Sequence, residues 1–226
     1  MLSLKTLILV IGLITVNAQY SEYYYTPYPP LKLSAGRSFV NVSTGSYGLG
    51  HFSYSSSSFS GIRNVSTIYD GLFNTFWMSS ALYSSSGSYN GDVSTQTSDG
   101  RSLGGEWIQL TTPRPIIVST YSLFGVSNQD TSPLAFELFC SNITDSTSSV
   151  IWFSRSVVSN YASSRAVIPY NSKLMPLYCN AFRLVFPSIK IAKPGKTAYS
   201  MLVSEFFVTA ANGRSLSSCY NLLIPS

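Results

Sequence analysis

A side chain that attacks, shuttles protons or binds a metal needs partners of matched chemistry, and this chain offers few. His51 is its only histidine, and no nucleophile elbow is read into its many serines, so a Ser-His-Asp triad is not assembled. Its nine acidic residues include no pair that sequence singles out for glycoside cleavage. Ser98-Asp99-Gly100-Arg101 reads as a turn and not as a phosphate loop. What the chain does offer is groups that hold a ligand by hydrogen bonds and an aromatic face. Tyr47, His51, Tyr89, Arg101, Asn128 and Arg155 all fall in stretches that read as loops and have this chemistry. The expectation is therefore binding without catalysis.

Three cysteines, Cys140, Cys179 and Cys219, carry no CxxC spacing, so thiolate metal binding is not expected. In an oxidising compartment two of them should pair. Cys140 ends one strand-like run and Cys179 begins another, which favours a bridge between them, although sequence alone allows all three pairings. Cys219 would then be free or joined to a second chain. Three sequons, at Asn41, Asn64 and Asn142, mark candidate glycosylation sites.

The compartment is argued from residues 1–18. Lys5, an apolar run over 7–16 and the exit Val16-Asn17-Ala18 make a cleavable secretory signal, and an apolar run of that length is too short to span a bilayer. No later stretch reads as a transmembrane segment. Only 10% of the residues are charged, so the polar surface must come from Ser, Thr, Asn, Tyr and Gly, as in extracellular β proteins. The formal charge of +5 falls to +4 once Lys5 is removed, and the excess is scattered. Nucleic acid is not expected as a partner, because that needs a clustered basic stripe.

Residues 19–37, rich in Tyr and Pro, read as an extended arm, because proline fixes φ and removes a backbone donor. From 38 to 211 apolar or alternating runs of strand length recur between Gly, Ser, Asn and Pro clusters, clearest at 106–110, 116–124, 135–140, 150–154, 165–168, 181–186 and 202–209. Only 66–73 suggests a short helical turn. Two Ser-rich stretches, 53–60 and 84–105, read as loops, and residues 212–226 as a tail. The pattern is that of an all-β sandwich. In 106–110, Trp107 and Gln109 share one strand face while Ile108 and Leu110 share the other. Trp77 and Trp107 read as core aromatics, and Trp152 as a third candidate.

DGLFNTFW at 70–77, GEWIQL at 105–110, PIIVSTYSLFG at 115–125, PLAFELFCSN at 133–142, VIWFSRS at 150–156, AFRLVFPS at 181–188 and LVSEFFV at 202–208 follow one another in an order and spacing that resemble the discoidin or coagulation-factor C-type domain family. The resemblance implies an antiparallel jelly-roll sandwich of galactose-binding-like type, whose loops at one end bind carbohydrate, phospholipid headgroups or protein. It also implies a structural calcium ion held by Asp70, Thr75, loop carbonyls and Glu205, oxygen ligands that a hard cation favours. The departure is at Leu72-Phe73, where many relatives are polar, and the rival role for Glu205 is an ion pair with Arg183. Three functions follow in order: a secreted carbohydrate-binding or adhesion module with glycan or protein partners, an assembly subunit of an extracellular or virion surface layer, and a phospholipid-headgroup binder.

Overall fold

The computed structural model describes residues 25–28, 39–42, 50–126, 131–143, 152–159, 165–169 and 178–211. The signal at 1–18, the tail with Cys219, Tyr47 and Asn128 lie outside these. Residues 27–210 form one compact unit, and of the other, 1–26 with 211–226, only Tyr25, Thr26 and Ala211 are described.

The strands in chain order are β1 (Tyr25–Tyr28), β2 (Phe39–Val42), β3 (Gly50–Ser56), β4 (Trp77–Met78), β5 (Ser94–Gln96), β6 (Ser102–Gly104), β7 (Glu106–Ile116), β8 (Val118–Phe124), β9 (Thr131–Ser141), β10 (Phe153–Val158), β11 (Arg165–Pro169), β12 (Cys179–Ile191), β13 (Leu202–Val203) and β14 (Glu205–Ala211). The short helical turn expected over 66–73 is described as a 3-10 turn, Val65–Ile68. One sheet runs β10-β9-β12-β7-β3-β2, the other carries β14, β8 and β11 side by side, and their pairings are antiparallel. Period-two alternation explains which faces meet. Phe52 and Tyr54, Ile108 and Leu110, Leu138 and Cys140, and Phe182, Leu184 and Phe186 point inward from the larger sheet. Tyr121, Leu123, Phe206 and Val208 meet them from the smaller one. The result is an all-β antiparallel sandwich with one main core.

Three expectations need correction. The Ser-rich stretch from 53 begins inside β3, because the aromatic side chains at 52 and 54 bury on one face while the serines between them take the other. The strand expected over 150–154 is described as β10, over 153–158, paired with β9 through a register shift between Ser154 and Ser156. The polar segment 84–105 is no free loop. It holds the β5–β6 hairpin and folds over the outer face of the six-stranded sheet, where Phe139, Trp152, Ala181 and Val185 form a second buried cluster with Leu103 and Trp107 against it. Serine and glycine content gave it the signature of a loop, whereas its order comes from long-range contacts: the Tyr89 N–H donates to the Pro187 carbonyl at 3.2 Å, and the Ile189 N–H donates to the Gly87 carbonyl at 2.9 Å.

Arg183 ties this layer together. Its guanidinium lies 3.9 Å from the Trp107 ring centre and 4.3 Å from that of Trp152, and it donates to Gln109 Oε1 at 2.8 and 3.1 Å and to Thr95 Oγ1 at 3.2 Å. Burial among these neutral partners pushes its pKa down to about 10. Arg183 is therefore not the partner of Glu205. Trp77 and Trp152 are buried, and Trp107 is half-buried.

The turn of this layer docks on β12 through Gly87, whose carbonyl accepts from the Ile189 N–H at 2.9 Å. Its φ is +85°, and a Cβ there would stand 2.1 Å from the Ile189 carbonyl oxygen. Gly87→Ala is expected to cost at least about 2 kcal/mol, since it combines an unfavourable backbone region with a backbone clash. An unchanged denaturation midpoint would contradict this close approach.

Candidate functional site

The turn that follows the 3-10 segment is built by its own side chains. Asn64 caps the segment, with Oδ1 accepting from the Ser66 N–H at 2.9 Å, and Asp70 Oδ1 accepts from the Leu72 N–H at 2.8 Å. The Thr75 hydroxyl then lies 2.7 and 2.9 Å from the two Asp70 oxygens and 2.8 Å from the Leu72 carbonyl. A hydroxyl has one hydrogen, so most of these oxygens face one another unbridged. Glu205, 4% exposed at the start of β14, joins them. It lies close enough to Asp70 and to the Gly71–Leu72 backbone for both to act on its carboxyl. Burial first, and the Asp70 charge second, push Glu205 up to about 8.

Glu205 Oε1 is buried and has no hydrogen-bond partner. Two neighbouring carboxylates, a hydroxyl and a backbone carbonyl are a hard-oxygen set, the kind that fits calcium or a similar ion. Among the described residues no group of three or more His, Cys, Asp or Glu side chains gathers, so an ion here would take its further ligands from hydroxyl and backbone oxygens. Leu72 and Phe73, the departure from the family pattern, are exposed and leave the polar interior of the turn to backbone groups.

A short ribbon leads away from this cluster. β4 pairs with β13, Trp77 opposite Val203 and Met78 opposite Leu202. Thr75 and Glu205 stand beyond one end of the ribbon. Beyond the other, the Tyr83 and Tyr199 backbones exchange hydrogen bonds at 3.0 and 2.8 Å. There a cavity of about 370 Å³ opens, lined by Met78 and Leu202 from the ribbon, Arg63, Thr131, Lys196 and Tyr199 among others. It combines apolar wall, hydroxyl groups and two cations.

Of the six ligand candidates taken from sequence, Tyr47 and Asn128 lie outside the described residues, and the other four do not line this cavity. His51 is exposed on β3 and Arg155 lies on β10, both on strands and far apart in the sheet order, which corrects their reading as loop residues. Tyr89 packs on Tyr83, ring centres 5.4 Å apart, inside the covering layer. Arg101 is paired with Asp99 at 2.7 Å and Glu137 at 3.1 Å. A Gly-x-Ser-x-Gly pattern does occur at 100–104, but its Ser102 sits on β6 of a hairpin and accepts from Gln96 Nε2 at 3.0 Å, not on a strand-to-helix elbow. Of the sequons, Asn142 is exposed after β9, Asn41 lies on β2, and the Asn64 side chain is engaged in its cap. Arg63, Lys196 and Tyr199 were missed. The lysines at 190, 193 and 196 were the available signal.

No protein-family model matches the chain, and no curated protein sequence does. Solved structures do. The CBM32-1 and CBM32-2 domains of ZmpB from Clostridium perfringens are similar at a TM-score of 0.51 and 11% identity, over 87% of this chain and 38% of that one. Chitosan-binding module 2 of a chitosanase/glucanase from Paenibacillus sp. IK-5, solved with chitotriose, gives 0.49 and 15%, over 69% and 94%. The F5/8 type C domain of a Bacteroides fragilis protein gives 0.44 and 14%, over 71% and 91%. At these identities the likeness is one of fold. The chain has the galactose-binding-like β-sandwich fold.

Proposed function

We propose that this protein is a secreted, non-catalytic carbohydrate-binding module that takes its ligand in the cavity beside the β4–β13 ribbon and holds a structural calcium ion between Asp70, Thr75 and Glu205. The observation that carries the binding reading is the cavity. Its volume of about 370 Å³ lies in the range of about 300–1,000 Å³ usual for small-ligand sites. Met78 and Leu202 offer apolar surface to the C–H face of a sugar ring, and Arg63 and Lys196 bring donors for its oxygens. The fold supports the reading, since family 32 modules share it. No acidic residue lines the cavity among the described residues, which supports binding without hydrolysis, because glycoside cleavage uses two carboxylates. Residues 1–18 support secretion, and among the described residues no helix is long and apolar enough to cross a membrane.

A glycan array probed with the folded, calcium-loaded protein tests the proposal. Binding to defined glycans is expected, and Ala81→Trp, which fills the cavity from an exposed position on its lining, should weaken it by at least about tenfold while leaving the melting temperature unchanged. An array without hits overturns the function. Hits that survive Ala81→Trp overturn the location.

A further inference from the structure

We infer that the phenol of Tyr69, backed by that of Tyr54, is the hydrogen-bond donor that holds the Glu205 carboxylate in place at the calcium site. The inference rests on the calcium reading given above and names positioning residues that stand behind its ligands.

The case starts from a deficit of hydrogen bonds. Among the described residues four buried side-chain polar atoms lack a partner, and three of them are Tyr54 Oη, Tyr69 Oη and Glu205 Oε1. Buried polar groups are nearly always bonded, so three such atoms in one neighbourhood need a reason. The chain itself brings them together. Tyr69 directly precedes Asp70, and Phe206 directly follows Glu205. The Tyr69 and Phe206 rings meet edge to face with centres 6.5 Å apart, which sets Tyr69 beside both carboxyl-bearing segments. Tyr69 also packs on Tyr54 of β3, ring centres 4.3 Å apart. Glu205 and Tyr54 both lie near enough for their charges to act on the Tyr69 phenol.

The three atoms match in kind as well as in place. A phenol keeps its proton at neutral pH and can donate and accept, whereas an ionised carboxylate only accepts and has about four lone-pair sites on its two oxygens. One order of donation serves all three: Tyr54 O–H to Tyr69 Oη, and Tyr69 O–H to Glu205 Oε1. The remaining lone pairs of Glu205 are then left for the side of Asp70 and Thr75. A hydrogen bond to a charged acceptor is roughly twice as strong as one between neutral groups, so this relay gains most when Glu205 carries the charge that a cation favours. Phenylalanine would bury the same rings without the cost of desolvating a hydroxyl, and the two hydroxyls therefore answer to a polar partner.

The test measures calcium affinity and the metal-free melting temperature of the full mature chain for the wild type, Tyr69→Phe and Tyr54→Phe. Tyr69→Phe keeps the ring and removes only the hydroxyl. It is expected to weaken calcium binding by at least about tenfold, as loss of a group behind a metal ligand typically does. Without calcium the same variant should melt no lower than wild type, because an unpartnered buried hydroxyl adds nothing to stability. Tyr54→Phe should weaken calcium binding in the same direction and by less. Tyr69→Phe that binds calcium within about twofold of wild type overturns the inference and leaves the calcium site standing. A variant that melts lower without calcium and binds the ion unchanged gives the hydroxyl a packing role and overturns the inference too. Wild-type protein that binds no calcium overturns the calcium reading itself.

Discussion

Adding millimolar calcium to the metal-free protein is expected to raise its melting temperature by about 5–10 °C. An ion at a hundred times its dissociation constant adds about 2.7 kcal/mol, and about 1 kcal/mol shifts a domain of this size by roughly 2–4 °C. The gain comes from relieving a specific deficit. Glu205 is buried beside Asp70, one of its oxygens has no partner, and its pKa is pushed up to about 8 from 4.5. A carboxyl whose folded pKa is raised contributes full stability below 4.5 and loses it as the pH climbs through 8. The metal-free protein should therefore weaken across that window. Calcium binds the ionised pair, so its stabilising effect should grow over the same interval. Asp70→Asn keeps the turn's acceptor and removes one charge, and should abolish most of the calcium response. A melting temperature indifferent to calcium at pH 8, with a wild-type response in Asp70→Asn, would dismiss the ion. Because β4 and β13 connect the cluster to the cavity, chelation should also weaken glycan binding.

The second large effect belongs to the disulfide. Cys140 near the end of β9 and Cys179 at the start of β12 are bridged with Cα atoms 5.7 Å apart, at a sequence separation of 39. Both are buried in the main core, where the two central strands of the larger sheet meet. Closing a loop of that length is worth about 4 kcal/mol through the unfolded state, so the double variant Cys140→Ala, Cys179→Ala should melt about 10 °C lower. Removing both cysteines matters, because a single substitution leaves a thiol able to pair with Cys219. Calorimetry that finds the double variant within about 2 °C of the parent would show the unfolded chain to be constrained by other means.

The sandwich was legible because its core strands alternate. Ile108 and Leu110 face inward and Trp107 and Gln109 outward, as strand geometry alone requires. The bridge was legible from the positions of its cysteines at strand ends. Asp70, Thr75 and Glu205 were found through family resemblance. Composition does not connect residue 70 to residue 205, since β4, β13 and β14 bring them together only in three dimensions. The cavity was not legible for a similar reason. Arg63, Thr131 and the segment that holds both Lys196 and Tyr199 are far apart in sequence, and each looks like ordinary surface. The covering layer at 84–105 was misread because its hydrogen-bond partners Trp152, Pro187 and Ile189 lie in the last third of the chain.

Asp70 and Glu205 sit near opposite ends of the sandwich in sequence, and that separation has a kinetic meaning. Glu205 opens β14, which pairs antiparallel with β8, and contacts between segments so far apart in the chain are slow to form. A chain still missing that strand, whether nascent or partly unfolded, holds Asp70 alone and has no chelating pair. In the calcium site proposed above, the ion would report completed closure and would slow the reopening of β14.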